Sequence, residues 1–471
     1  MPQSNFTLRN TLLYAGMILA TIVLFGWIRH MGEALGAPPP VHPETLQKTA
    51  PAAGSHVIRH VLLAMATVII AGRALGWLLT FIKQPPVIGE VLAGILLGPS
   101  LLGRISPETM NYLLPPDTAP YLNVIAQLGV ILYMFIVGLE LNTGRLREKA
   151  HATIAISHAS IIAPFVLGSA LSLFLYPRFS DSSVPFTSFA LFMGVAMAIT
   201  AFPVLARILT DRRMAQTRLG AMALVCAATD DVTAWCLLAF VVGVAQADVG
   251  GALMTCGLAV LYIALMFLVV RPLLLRWLER RSETLSRGVL VFVLAGLLLS
   301  ALCTEYIGIH AIFGAFLFGA IIPHDSAVSR ELTVKLSDGV SILLLPAFFA
   351  VTGLRTQIGL VSGPENWMIC ALIIGVAIAG KFGGSTLAAR LSGMSWREAA
   401  ALGTLMNTRG LMELVVLNIG LDLKVISPTI FAMMVLMALV TTAMTAPIVD
   451  RLVPAGSEQQ QASLTPAPQP Q

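Results

Sequence analysis

The chain contains about fourteen apolar runs of roughly 17 to 25 residues, each long enough to cross a bilayer as an α-helix. Of its 471 residues, 57% are hydrophobic and only 11% are charged, whereas a soluble domain carries roughly a quarter charged residues. An ordinary soluble enzyme is therefore excluded. We expect an all-α polytopic membrane protein with helices at about residues 8–28, 56–82, 86–101, 119–141, 150–176, 184–206, 217–246, 250–275, 288–305, 307–323, 338–355, 366–389, 398–420 and 426–449.

The basic residues are distributed unevenly between the two sets of loops. With a cytoplasmic N-terminus, eighteen Lys and Arg residues fall on the cytoplasmic side and seven on the other, namely Arg29, Lys48, Arg59, Arg104, Arg178, Arg355 and Lys424. Cytoplasmic loops of membrane proteins carry this excess. The sequence thus predicts both termini in the cytoplasm and a multi-pass location in the cell membrane, the inner membrane in a bacterium. The net charge of +5 then requires no nucleic-acid partner.

The apolar runs suggest four regions. Residues 1–30 form an N-terminal transmembrane helix or signal anchor, and a Pro-rich linker follows at 31–55. The main transmembrane domain is expected at 56–451. A short polar tail, predicted to be disordered, closes the sequence at 452–471. The sequence offers no cofactor-binding pattern, and its five cysteines lie in apolar runs without metal-ligand spacing.

Two pairs of similar segments suggest an internal repeat. VIGEVLAGILLG (Val87 to Gly98) resembles IGIHAIFGAFLFG (Ile307 to Gly319), and MFIVGLEL (Met134 to Leu141) resembles FAVTGLRT (Phe349 to Thr356). Both pairs are separated by seven predicted helices. Transporters are often built from two such repeats with inverted topology.

Interruptions occur in two runs that are also seven helices apart. The sixth run contains Thr200 and Pro203 near mid-membrane, and proline lacks the N–H needed by the helical ladder. The thirteenth is interrupted by Asn407-Thr408-Arg409-Gly410. Broken helices in corresponding positions of two halves indicate a transporter's ion site. The alternative is a simple proline kink and a polar helix contact.

Two adjacent carboxylates, Asp230 and Asp231, lie near the middle of the run at 217–246, roughly 16 to 18 Å from either end. An ionisable group at that depth must face the protein interior or an aqueous cavity. Neighbouring helix positions point about 100° apart, so the two side chains cannot share one environment. Lys381, equally deep and flanked by glycines, is the expected salt-bridge partner of one of them.

The other aspartate would then face a water-filled funnel and hold either a proton or a monovalent cation, but not both. Competition at one carboxylate couples two fluxes when the site faces the two sides alternately. Oxygens at Thr200 and Thr408 are expected to complete the shell of the cation. Arg409 is a candidate to stabilise the helix ends at the second break. For Glu90, Glu140, His310 and Glu413 we favour structural or vestibule roles.

Three other functions compete with exchange. An intramembrane aspartyl protease needs two acids from different helices, and no second mid-membrane aspartate is evident. A cation channel would use the same path without coupling, but no carbonyl-lined filter motif is present. Proton-coupled efflux of an organic cation stays open and predicts competition by bulky amines.

At these residues the chain resembles the monovalent cation:proton antiporter superfamily, in the branch of the Kef-type bacterial systems and the plant cation/H⁺ exchangers. The resemblance covers about Arg59 to Val449. It is carried in order by KQPPVIGEVLAGILLGPSLLG, LGVILYMFIVGLEL, ATDDV, IGIHAIFGAFLFGAIIP, LLLPAFFAVTGLRT and LMNTRGLMELVVLNIG.

The resemblance implies thirteen core helices as inverted repeats, two crossing unwound helices, an elevator-like movement and a homodimer. It implies that Asp231 is the carrier of cation and proton and that Asp230 pairs with Lys381. Members with two aspartates are regarded as electrogenic. The first helix departs from the core pattern, as does the lack of a recognisable nucleotide-binding domain, so we do not expect regulation by nucleotide or glutathione. The preference for Na⁺ or K⁺ stays open.

Overall fold

The computed structural model describes residues 3–38, 54–82, 84–140, 150–214, 217–246, 249–279, 286–323 and 326–453. All regular structure in these ranges is helical. The α-helices in chain order are α1 (Gln3–Gly32), α2 (Gly54–Thr80), α3 (Pro86–Leu97), α4 (Leu102–Ile105), α5 (Pro107–Leu113), α6 (Ala119–Glu140), α7 (Ala150–Phe179), α8 (Phe186–Ala198), α9 (Phe202–Asp211), α10 (Arg218–Gln246), α11 (Val249–Leu265), α12 (Arg271–Glu279), α13 (Arg287–Ile307), α14 (Ala311–Ile321), α15 (Ala327–Gly339), α16 (Leu345–Arg355), α17 (Gly363–Ile378), α18 (Gly384–Leu391), α19 (Trp396–Met406), α20 (Leu411–Asp422) and α21 (Pro428–Leu452).

The polytopic membrane architecture predicted from the sequence is confirmed. Eleven helical stretches of the described chain are long and apolar enough to cross a membrane, and α8 and α14 are shorter apolar helices. Most predicted runs match a helix within a few residues. Most of the predicted linker and nearly all of the predicted tail lie outside the described residues, and the count of thirteen core helices stays a prediction.

Two predicted runs differ from the helices that form, and two more are divided near the interruptions that the sequence indicated. The run at 86–101 ends as α3 at Leu97, and two short helices that the sequence did not predict, α4 and α5, follow it. Helix α15 begins at Ala327, well before residue 338, because Ser326 caps it through the Ser329 N–H. The runs at 184–206 and 398–420 are each divided, the first into α8 and α9 and the second into α19 and α20.

Three single turns of π-helix interrupt longer helices, at Met266–Val270, Val340–Leu344 and Ala379–Gly383. The first two have a local cause, because Pro272 and Pro346 follow them and cannot donate to the carbonyl four residues earlier. No proline lies in the third turn or in α18 after it. That turn contains Lys381.

The helices pack into two bundles, which we define by their contacts. The site bundle comprises α7–α10 and α17–α21, and the flanking bundle comprises α2–α6 and α11–α16. The chain passes from one bundle to the other three times, between α6 and α7, between α10 and α11, and between α16 and α17. Helix α1 packs on α7 and α8 of the site bundle, where the Phe25 ring lies 5.8 Å from that of Phe165.

The glycine motifs of the two halves meet inside the flanking bundle. A Cβ added to Gly353 would lie 2.2 Å from the carbonyl carbon of Gly94, and one added to Gly138 would lie 2.2 Å from the Phe316 carbonyl oxygen. From the other side, a Cβ added to Gly319 would lie 2.3 Å from the Phe135 carbonyl oxygen and 3.0 Å from the Gly138 Cα. Each contact joins one motif of the first half to the other motif of the second, and the inverted repeat itself stays a prediction.

Candidate functional site

Helix α10 carries Asp230 and Asp231 into the centre of the site bundle, where they are 0% and 2% exposed. Because successive residues of a helix diverge by about 100°, the two carboxylates face different neighbours. Their surroundings differ in every polar contact. The two groups therefore have to be described separately.

The Asp230 carboxylate accepts hydrogen bonds from four side chains. Oδ1 accepts from Ser157 Oγ at 2.6 Å, and Oδ2 accepts from Ser160 Oγ, from Thr200 Oγ1 at 2.9 Å and from Lys381 Nζ at 3.0 Å. A buried carboxylate is tolerated when it is paired and its lone pairs are satisfied. Asp230 meets both conditions, so its negative charge is neutralised where it stands.

Lys381 uses all three of its ammonium protons. Besides Asp230, Nζ donates to the Ser160 carbonyl at 3.0 Å and to the Ala198 carbonyl at 2.5 Å, and the side chain is 0% exposed. The π-turn widens the helix at this residue, and its glycines permit close packing on α7. A Cβ on Gly380 would lie 2.7 Å from the Pro164 Cα, and one on Gly384 would meet Ala163 at 2.7 Å.

Asp231 lies in an apolar environment. Neither of its oxygens makes a full hydrogen bond with any described residue, and the Phe202 N–H at the start of α9 is only a weak donor to the carboxylate. The small cavity beside it is lined by apolar side chains, namely Ile199, Ala234, Leu238, Met412 and Val416. Asp231 is 2% exposed, and the water-filled funnel expected beside this residue stays a prediction.

The first helix break lies between α8 and α9. The carbonyls of the last three residues of α8 lack partners within the helix, and the cationic side chains of Lys381 and Arg409 donate hydrogen bonds to them. Lys381 binds the Ala198 carbonyl, while Arg409 donates from Nη1 to Ala196 at 2.9 Å and from Nη2 to Met197 at 2.6 Å. The negative end of α8 is thereby neutralised by two buried side chains.

The prediction for Arg409 needs a correction. The sequence placed it at the helix ends of the second break, but its guanidinium reaches across to α8 at the first break. Its other buried partner is Glu413, whose Oε2 lies 3.0 Å from Nη1. Arg409 lies two residues before α20 and Glu413 is the third residue of that helix, so their spacing of four residues was the available signal in the sequence.

The two breaks are joined by hydrogen bonds. The Ala201 N–H donates to the Thr408 carbonyl at 3.0 Å, and Thr200 Oγ1 lies 3.3 Å from the Met406 carbonyl. The Thr200 hydroxyl thus points to Asp230 and the second break, and the contribution of oxygens at Thr200 and Thr408 to the shell of a cation stays a prediction. Thr408 Oγ1 contacts Thr445 Oγ1 at 3.4 Å.

The remaining predicted residues lie at the breaks themselves. Pro203 is the second residue of α9, where a proline is tolerated because that N–H has no helical partner. Asn407 follows α19 and leaves its buried Oδ1 without a partner among the described residues. Gly410 precedes α20 and allows close approach, since a Cβ there would lie 2.7 Å from Val204 Cγ2.

Ser157 and Ser160 were missed by the sequence analysis. They lie on α7, more than 60 residues before Asp230, in AHATIAISHASII, where isolated serines in an apolar helix are unremarkable. Their spacing of three residues, which places both on one face of a helix, was the available signal. This spacing identifies the two serines as donors only once the position of the Asp230 carboxylate is known.

The comparison with known families agrees with this geometry. The sequence model described as "Sodium/hydrogen exchanger, transmembrane" matches residues 63–452. The chain belongs to this family. Its members are transporters, and the superfamily resemblance drawn from the sequence is confirmed. Helix α1 precedes the matched region.

Relatives of this exchanger are named as antiporters. The Na⁺/H⁺ antiporter NhaS4 of Synechocystis sp. is 47% identical over 402 residues, which cover 84% of this chain and 98% of the relative. The cation/H⁺ antiporter 20 of Arabidopsis thaliana is 39% identical over 404 residues, 83% of this chain and 48% of the relative. The K⁺/H⁺ antiporter 1 of Saccharomyces cerevisiae is 35% identical over 387 residues, 80% of this chain and 45% of the relative. The chain thus spans about half the length of the plant and yeast proteins.

A solved structure shares the fold. The sodium proton antiporter MjNhaP1 from Methanocaldococcus jannaschii, determined at pH 8, aligns with a TM-score of 0.59 at 16% identity. The alignment covers 84% of this chain and 96% of that protein. At this identity the likeness concerns the fold alone.

Proposed function

We propose that this exchanger transports a monovalent cation, K⁺ or Na⁺, in exchange for protons, with Asp231 as the carrier. One observation carries the proposal: of two adjacent buried carboxylates, Asp230 is satisfied by four donors, whereas neither oxygen of Asp231 is hydrogen-bonded within the described chain. A buried carboxylate without partners is stable only with a proton or a cation bound. The two ligands therefore compete for it.

Asp230 and Lys381 serve in this proposal as a fixed neutral pair beside the carrier. The pair holds the end of α8 in place through the Ala198 carbonyl, and it keeps a second negative charge next to Asp231 compensated. Thr200 and Thr408 position the crossed breaks. No cofactor is required, because the cation and the proton are the transported species.

The transport cycle requires the site to face the two sides of the membrane in turn. We infer an elevator-type movement in which the site bundle shifts against the flanking bundle, which agrees with the division of contacts between them. Thirteen core helices with two crossed unwound segments, a homodimer in the cell membrane and cytoplasmic termini belong to the same proposal. The presence of Asp230 beside Asp231 favours electrogenic exchange.

The direct test is exchange by the purified protein in proteoliposomes. An imposed pH gradient should dissipate on addition of Na⁺, K⁺, Rb⁺ or Li⁺, with a rate that depends on the membrane potential. Asp231→Asn should abolish the response in protein that still folds, as judged by its elution as a single species in detergent. No response of the wild type to any of these cations would overturn cation/proton exchange and favour a channel or an organic substrate.

A further inference from the structure

The two bundles are linked by side chains at the end of the molecule where α16 and α20 finish. Arg355, the last residue of α16 in the flanking bundle, donates from Nη1 to Asp422 Oδ1 at 2.7 Å and to Asn418 Oδ1 at 3.1 Å. Asn418 and Asp422 belong to α20 in the site bundle. Asn418 Nδ2 in turn donates to Thr352 Oγ1 on α16 at 2.9 Å. We call these four residues the outer link.

The outer link stands at the edge of a cavity between the bundles. The walls of this cavity come from α6, α14, α16 and α20. Arg355, Asn418 and Asp422 line it, together with His310, for which the sequence suggested a vestibule role. On α20, Val415 lines this cavity and its neighbour Val416 lines the smaller cavity at Asp231. One helix therefore forms a wall of both.

The chemistry of the link suits a contact that forms and breaks. The Arg355 and Asp422 side chains are 26% and 51% exposed, so water screens their attraction and replaces it when they separate. The Asn418 amide is 8% exposed and uses both its oxygen and its nitrogen in the link. Any shift of α20 along α16 separates all of these pairs together, because they lie one turn apart on each helix.

We propose that Arg355 and Asp422 are positioning residues that hold the outer end of the site bundle against the flanking bundle, so that breaking their link opens the path toward Asp231. This inference rests on the exchange proposed above, since only a transporter needs the two bundles to move. The guanidinium also places a positive charge at the mouth of a cation path. Asp422 neutralises that charge while the link is closed.

The test measures access to the cavity and does not depend on transport. Ile419, 3% exposed on the cavity wall, is replaced by cysteine, and its reaction rate with a charged, membrane-impermeant thiol reagent is measured in proteoliposomes. The chain without this cysteine gives the background from the native thiols. The rate is then compared with and without Arg355→Gln in the same background.

The matched control is Arg212→Gln. Arg212 pairs with Asp450 at 2.8 Å, and the two side chains are 15% and 42% exposed, but both belong to the site bundle, at its other end. We expect Arg355→Gln to raise the labelling rate by about two- to fivefold, the range set by losing a part-exposed ion pair. Arg212→Gln should leave the rate unchanged, and the charge exchange Arg355→Asp with Asp422→Arg should restore it.

Equal labelling of Arg355→Gln and the parent, or an equal rise with Arg212→Gln, would overturn the link. Failure of exchange in the wild type would count against the proposed function and leave this comparison intact. A link that controls opening must also alter transport. In the same vesicles, Arg355→Gln should lower the cation concentration for half-maximal exchange when the cation is added on the side of the link, and an unchanged value would count against the link.

Discussion

At the residue scale, the two neighbouring aspartates of the site differ in the polarity of their surroundings. Asp230 is surrounded by hydroxyl groups and an ammonium, while Asp231 faces hydrocarbon. A charge in such surroundings is costly, so Asp231 has to acquire a ligand to remain buried. The contrast arises because successive residues of a helix point about 100° apart. On this ground we propose different functions for the two neighbouring positions.

The buried ion pair predicts a strong coupling between Asp230 and Lys381. Asp230→Asn or Lys381→Met alone should each lower the free energy of unfolding by about 3–5 kcal/mol, because each leaves an uncompensated buried charge. The double variant should lose less than the sum of the two. Thermal unfolding in detergent measures this cycle, and simple additivity would exclude a direct interaction.

The α7 serines make a second residue-scale prediction. Ser160→Ala removes one donor from the Asp230 carboxylate and should cost about 1–3 kcal/mol of stability, the usual range for a hydrogen bond to a charged group. Ser392→Ala is the control, since that exposed hydroxyl bonds only to the Ala388 carbonyl. Equal unfolding temperatures for the two variants would contradict a structural role for Ser160.

The sequence reveals the site residues whose signal lies within a single run. It does not reveal contacts between residues that are distant in the chain. Asp230, Asp231 and Lys381 stand out because charges are rare within apolar runs. The contacts of Arg409 with Ala196 and Met197 join residues more than 200 positions apart, and carbonyl groups leave no trace in a sequence. The orientation of Thr200 likewise depends on where the second break lies against the first.

At the element scale, irregular helices create the site. Residues 199–201 and 407–410 leave the helical ladder and are joined by a hydrogen bond from the Ala201 N–H to the Thr408 carbonyl, and the π-turn at Ala379–Gly383 presents Lys381 to the end of α8. Proline explains the other two π-turns. The third π-turn depends on packing against α7. The glycines beside Lys381 indicated a close helix contact in the sequence but did not identify the partner helix.

The π-turn offers a matched pair of glycines for a test. Gly380→Ala should destabilise the protein by about 1–3 kcal/mol, because its Cβ would clash with the Pro164 backbone. Gly383→Ala lies in the same turn with nothing within 4 Å and should be neutral or slightly stabilising. Unfolding temperatures compare the two, and a Gly383→Ala protein as unstable as Gly380→Ala would refute this view of the packing.

The long apolar helices were more predictable than the short helices between them. Apolar runs locate membrane helices to within a few residues because their length is set by the bilayer. The short helices α4 and α5 lie in a loop segment rich in proline and polar residues, where hydropathy gives no periodic signal.

At the scale of the whole molecule, the proposed exchange depends on competition between proton and cation for one carboxylate, while the two bundles move against each other. Since proton and cation exclude each other at Asp231, acidification should weaken cation binding by mass action. The cation concentration for half-maximal exchange should rise by up to about tenfold per pH unit once the protonated form dominates. Initial rates in proteoliposomes at several pH values measure this, and a half-maximal concentration independent of pH would exclude competition.

In the proposed exchange, Asp231 binds proton and cation alternately. The most direct measurement is the release of protons when K⁺ or Na⁺ is added to the purified protein in weakly buffered detergent solution. The wild type and a folded Asp230→Asn protein should both release protons with a saturable dependence on the cation, whereas Asp231→Asn should release none. Proton release by Asp231→Asn equal to that of the wild type would contradict the assignment of the carrier.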